Sequence, residues 1–178
     1  MLEVNDNNSE RHNELYRRGC AILKEIRQGG PRPNPSASEM AAVENGCQLL
    51  DQVLLLNPQN WAACWIQGTA FRNVNDWTRA YDAFSRAYAV NPNHIEVMRE
   101  FSIAACESGH FDEAIDLARR AMSVSPRDAG LRANFAVFLQ RAGRREEALA
   151  VIKEVLERDP KDMVALRAYQ QISGRGSG

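Results

Sequence analysis

The chain has 178 residues, of which 44% are apolar and 25% charged, with 22 basic against 23 acidic side chains and a net charge of −1. That is one domain of ordinary length, long enough to bury a core, with globular composition. The balanced charge gives no footprint for a nucleic-acid partner, and no apolar run approaches the roughly 20 residues that span a bilayer.

Residues 1–9 are polar and read as a flexible N-terminus. They lack the basic stretch and apolar run of an export signal, so the expected location is the cytoplasm. Residues 11–28, RHNELYRRGCAILKEIRQ, follow with helical periodicity, and Gly29-Gly30 stops that helix. The stretch 29–38, GGPRPNPSAS, reads as an inserted Gly/Pro-rich loop with an extended, polyproline-like bias. It is either a tolerated surface insertion or an arm that folds over a groove or docks a partner. A second helix is expected from about Ala37 to Leu56. Ser36 or Ser38 would cap it, and Glu39 suits its positive end. Together, residues 10–60 form a degenerate helical hairpin.

From there the chain repeats itself. Pro58, Pro92, Pro126 and Pro160 each follow the last by 34 residues, in the contexts NPQN, NPNH, SPRD and DPKD. A fixed period of this length marks stacked units that cannot bury their apolar faces alone. Twelve residues before each proline stand Gly46, Ala80, Ala114 and Ala148, all small enough for two helices to approach closely. Eight before it stand Leu50, Phe84, Ala118 and Ile152, and five before it Val53, Ala87, Ala121 and Val155, which share one helical face. The seventh and eighth residues of the full units are Gln67-Gly68, Phe101-Ser102 and Phe135-Ala136, and the eleventh are Phe71, Ala105 and Leu139. Between the halves sit Asn75-Asp76, Gly109-His110 and Gly143-Arg144, which tolerate positive φ and end a helix. The proline then stops the second helix, because it lacks an N–H and clashes one turn back. Three full units result, 61–94, 95–128 and 129–162. Residues 163–172 make a last, unpaired helix that caps the array, and 173–178 are a flexible tail.

Chemistry has little support. Cys20, Cys47, Cys64 and Cys106 form no Cys-x-x-Cys pair and are expected as reduced, mostly buried thiols. His12, His94 and His110 lie far apart, so no metal site is expected. There is no Gly-rich phosphate loop with its lysine and no nucleophile elbow. No catalytic residues and no cofactor are assigned, and the chain is read as not an enzyme.

The repeat resembles the tetratricopeptide repeat. Gly68, Phe71, Ala80, Phe84, Ala87 and Pro92 carry the likeness in one unit. Gly109, Phe111, Ala114, Ala121 and Pro126 carry it in the next, and Gly143, Ala148 and Pro160 in the last. The tryptophan usual at the fourth position is replaced by Cys64, Met98 and Arg132. The resemblance implies an all-α fold, a right-handed α-solenoid of stacked helix-turn-helix repeats with a C-terminal capping helix. It implies that first helices line a concave groove, with Tyr16, Trp65, Thr69, Arg72, Arg99, Ile103, Asn134, Val137 and Arg141 facing a bound peptide. Trp, Tyr and Arg are the side chains that dominate binding hot spots. The Lys/Asn clamp with which co-chaperone members hold acidic tails is absent as a set, since Trp65, Thr69, Arg99, Ile103, Ala133 and Val137 occupy its places. The expected function is a non-enzymatic adaptor for a protein or peptide partner. The alternative is a structural or self-assembling scaffold, such as a homodimer, pairing through terminal helices or convex faces; an exposed apolar cap around Leu166 and Ile172 would favour it.

Overall fold

The computed structural model describes residues 2–32 and 34–174, with side chains from residue 7 onward. Nine α-helices and no strand occur among these residues. The chain divides into two compact units, Met1–Asn93 and His94–Gly178.

The first unit holds α1 (Leu2–Gln28), α2 (Ala37–Leu56), α3 (Trp61–Asn73) and α4 (Trp77–Val90). Helix α1 pairs with α2 and α3 with α4, and α3 also packs on both α1 and α2. The second unit holds α5 (Ile95–Glu107), α6 (Phe111–Val124), α7 (Ala129–Arg141), α8 (Arg145–Arg158) and α9 (Met163–Gly174). Here α5 pairs with α6 and α7 with α8, α7 leans on α5 and α6, and α9 lies against α7 and α8.

The 34-residue period is the period of these hairpins. Helices α3, α5, α7 and α9 begin at Trp61, Ile95, Ala129 and Met163. Helices α2, α4, α6 and α8 each end two residues before a periodic proline. Asn75, Gly109 and Gly143 take φ of 64°, 85° and 80° in the turns inside the hairpins, the left-handed conformation that closes a helix end. The small-residue position is the crossing point, with Gly46 against Leu23 and Ala80, Ala114 and Ala148 fully buried. The apolar positions that follow are core as well: Leu50, Phe84, Ala118 and Ile152, then Val53, Ala87, Ala121 and Val155.

Two boundaries differ from the sequence reading. Helix α1 begins at Leu2, so residues 2–9 are helical where a flexible N-terminus was expected; no glycine or proline precedes Gly19 to stop the helix running back. The capping helix continues through Ser173 and Gly174, and the rest of the expected tail, 175–178, lies outside the described residues. The inserted loop is pinned by Arg32. Its guanidinium donates to the carbonyls of Glu25, Ile26 and Gly30, where α1 leaves acceptors unsatisfied, and pairs with Glu39. The Arg32 N–H also donates to the Asn73 carbonyl at 2.6 Å. Ser36 caps α2 and Glu39 returns the bond in a capping box, and the Ser36 N–H holds the Glu39 carboxyl below its ordinary range.

Candidate functional site

In the first unit, the expected contact residues come from α1 and α3. The two helices run in the same direction side by side. His12 meets Asn60, just before α3, at 3.2 Å, and the Asn73 side chain at the far end of α3 donates to the Ile26 and Arg27 carbonyls at 2.8 and 3.1 Å. Tyr16 is half-buried and stacks on His12, with ring centroids 6.4 Å apart. Burial raises the pKa of its hydroxyl, and that of the Cys20 thiol beside it, most strongly. Trp65 is half-buried, and the Arg27 guanidinium lies 5.5 Å from its ring, a cation–π contact. The indole Nε1 and the Arg27 Nε are both buried without an acceptor among the described residues. Arg72 is half-buried and donates to the Asn73 side-chain carbonyl at 3.1 and 3.0 Å. Thr69 stands apart from this set. It is 6% exposed, and its hydroxyl donates to the Trp65 carbonyl one turn back, so its polar group is already used within the helix.

In the second unit, Ile103, Asn134 and Val137 are half-buried on α5 and α7. The two arginines expected to face a ligand also pair with acids, Arg99 with one on its own helix and with the N-cap of α7, and Arg141 with one on α5. Arg99 reaches Asp128 at 2.6 Å and Glu96 at 3.6 Å, and Arg141 reaches Glu107 at 2.9 Å. Asp128 also caps α7 through the Leu131 N–H at 3.0 Å. Burial works against its charge, but that N–H and the Arg99 guanidinium outweigh it and hold the carboxyl below its usual range. The Glu107 carboxylate raises the Arg141 pKa. Arg99 and Arg141 thus tie α5 to α7 near opposite ends, which is a structural use of charge.

Arg27, Asp128 and Glu107 are the members that sequence reasoning did not assign these roles. Arg27 had a signal, since Tyr16, Cys20 and Arg27 recur at four and seven residues and share a helical face. The acids had none in any local window, because each pairs with an arginine about one repeat away.

The four cysteines form no disulfide, and Cys47, Cys64 and Cys106 are buried. Burial raises the pKa of all four thiols, and pushes that of Cys47 up to about 12. Ile172 is fully buried, so the apolar end of α9 is core and not a free patch there.

A stack of helical hairpins of fixed length, with small residues at each crossing and an unpaired last helix, defines an all-α repeat protein. Residues 105–172 match the tetratricopeptide repeat family. Among solved structures, MamA 41-end from Desulfovibrio magneticus RS-1 is similar with a TM-score of 0.71 at 15% identity, over 92% of this chain and 85% of that one. The pilF protein of Pseudomonas aeruginosa is similar with a TM-score of 0.63 at 12% identity, over 93% of this chain and 69% of that one. Among curated proteins, the transcription factor tau 131 kDa subunit of Saccharomyces cerevisiae is 22% identical over 80 residues, which is 45% of this chain and 8% of that protein's length. Residues 105–172 thus match tetratricopeptide repeats, and the fold class of the described chain is the helix-turn-helix α-solenoid of the solved structures it is similar to. The fold is that of a protein-interaction scaffold in general.

Proposed function

We propose that this chain is a non-enzymatic interaction module working in the cytoplasm, binding a peptide or protein segment along its first helices. The α1/α3 face of the first unit is the main contact and Ile103, Asn134 and Val137 of the second are further ones. The observation that supports this most is the pairing of Trp65 and Arg27. A tryptophan, half-exposed under a guanidinium, offers an apolar surface for a partner side chain, and both residues carry a donor that nothing among the described residues satisfies. Tyr16 and Arg72 stand on the same two helices. A ligand with an aromatic or aliphatic side chain beside a carbonyl or carboxylate would fit that chemistry. Four thiols without a disulfide suit a reducing compartment.

The test is capture from source lysate on immobilised wild type and Trp65→Ala, side by side, with helicity of both checked by circular dichroism. A protein retained by the wild type and lost from the folded variant supports the reading and names the partner. Equal retention by both overturns it.

A further inference from the structure

The first unit carries a second recess, on the side of α3 away from Trp65. Cys64, Gln67 and Phe71 form its floor at a spacing of three and four residues, and α2 and α4 form its walls. Gln67 stands two residues from Trp65, which on a helix is the opposite side. The recess has two parts that share Arg86. One is a cavity of about 410 Å³ over Gln67 and Phe71. The other, of about 320 Å³, lies over Cys64 between Leu54 and Pro58 on one side and Ala89 and Val90 on the other. The first is lined mostly by charged and amide side chains over an apolar floor, and the second is largely apolar apart from Arg86.

The repeat itself shows what is unusual here. The position of Gln67 is occupied by Phe101 and Phe135 in the other two units. In the second unit the Phe135 ring is covered by the Arg119 guanidinium at 5.7 Å. In the first unit a buried amide, 1% exposed, stands where its sister repeats put an aromatic ring. Its Nε2 donates to the Cys47 carbonyl at 3.1 Å and to the Asp51 carboxylate at 2.7 Å, and its Oε1 accepts from Arg86 at 3.1 Å. A buried polar network in place of apolar packing marks a position where folding alone does not explain the residue.

The charges of the cavity do not cancel. Arg79 is offset by Glu44 and Asp76, each at 2.6 Å. Asp51 and Arg86 are each bonded to the neutral amide of Gln67, and Asp82 on the α4 wall makes no ion pair among the described residues. Two carboxylates therefore face one guanidinium, and the site is complementary to a cation.

We propose that this recess docks a basic and aliphatic segment of a partner protein. A lysine or arginine head sits between Asp51 and Asp82, and an aliphatic side chain enters the pocket formed by Leu54, Cys64 and Val90. Along α2, Asp51 and Leu54 of those two subsites are three residues apart, a rise of about 4.5 Å, which a partner matches with residues one turn apart in a helix or two apart in a strand. This surface is separate from the α1/α3 face and does not depend on it.

The experiment is selection of a phage-displayed random dodecapeptide library on the full chain, on Asp51→Lys/Asp82→Lys, on Gln67→Phe and on Trp65→Ala. The expected result is a set of wild-type binders that place Lys or Arg at that spacing from Leu, Ile or Val. Their binding falls about tenfold or more on the charge-reversed protein, as removal of close opposite charges does. It falls likewise on Gln67→Phe, which fills the floor as the sister repeats do, and is unchanged on Trp65→Ala. Should Gln67→Phe not fold, the exposed carboxylate variant decides alone. Binders that hold equally to wild type and the charge-reversed protein, binders rich in Asp and Glu, or no enrichment above the bare support would each overturn the proposal.

Discussion

Asn73 shows how much of the first unit rests on one amide. It is fully buried at the end of α3, and it has a partner on every polar atom named here. Its Nδ2 donates to two carbonyls that end α1, its Oδ1 accepts from Arg72, and its backbone carbonyl accepts from Arg32 in the inserted loop. A helix end buried without donors is costly, so Asn73 and Arg32 between them satisfy the C-terminus of α1. Asn73→Ala should therefore destabilise the chain by about 1–3 kcal/mol, the cost of leaving buried carbonyls unsatisfied. Urea unfolding would show a lower midpoint at unchanged slope. An unchanged midpoint would mean that water replaces the amide and that the loop is held by Arg32 alone.

At the scale of the helix pair, close approach decides the sign of a substitution. A Cβ on Gly68 would lie 2.6 Å from Cε1 of Phe84, a ring with no exposed surface. Glycine inside a helix ordinarily costs about 1 kcal/mol against alanine, so propensity alone favours replacing it. Overpacking of a full core costs about 1–3 kcal/mol and should win. Gly68→Val is expected to lower the melting temperature, and Gly68→Ala to lower it less. A rise in either would show that α3 and α4 can separate freely. The crossing was legible in the sequence, because a 34-residue period lays equivalent residues side by side and small ones stand out against Phe84, Leu50 and Ile152. The hairpin turns were legible for the same reason, through Asn75, Gly109 and Gly143. The proposed contact face was legible only in part. Trp65 and Tyr16 are half-buried on the neighbouring helices α3 and α1, but whether an arginine is spent depends on an acid one repeat away. Arg99 and Asp128 meet only once α5 and α7 are stacked. The pinning of the loop was not legible for a similar reason, since the acceptors of Arg32 besides Glu39 are carbonyls, and carbonyls have no sequence signature. Gln67 was visible as a departure from Phe101 and Phe135, but its recess exists only when α2 and α4 stand on either side of α3.

The whole chain has to end its stack and keep its charges paired. Helix α9 does the first by burying Ala165, Ala168 and Ile172 against α7 and α8, with Arg145 donating to the Ile172 and Ser173 carbonyls at 3.2 and 2.8 Å. Ile172→Ala should cost about 2–4 kcal/mol, the usual cost of emptying a buried isoleucine site. Near-native stability would mean that α9 is an ornament and not a cap. Charge pairing makes stability depend on pH with a definite sign. The carboxyls of Glu39, Asp128 and Glu147 are all held below their ordinary range, by the Ser36 N–H, by the Leu131 N–H with Arg99 against the opposing effect of burial, and by Arg144 respectively. A group whose pKa is lower folded than unfolded binds fewer protons in the native state. Its stabilisation is complete above the unfolded carboxylate range near about pH 4 and is lost as pH falls through the folded value. The melting temperature should accordingly be flat between about pH 7 and pH 5 and fall below about pH 4. Asp128→Asn keeps a capping side chain on α7 but removes the titrating charge opposite Arg99, so it should be less stable than wild type at neutral pH and should converge on it in acid. Parallel curves for the two proteins across the whole range would show that the Arg99–Asp128 charge pair adds no pH-dependent stability, and that apolar packing and the Arg141–Glu107 pair hold the first helices of the second unit together.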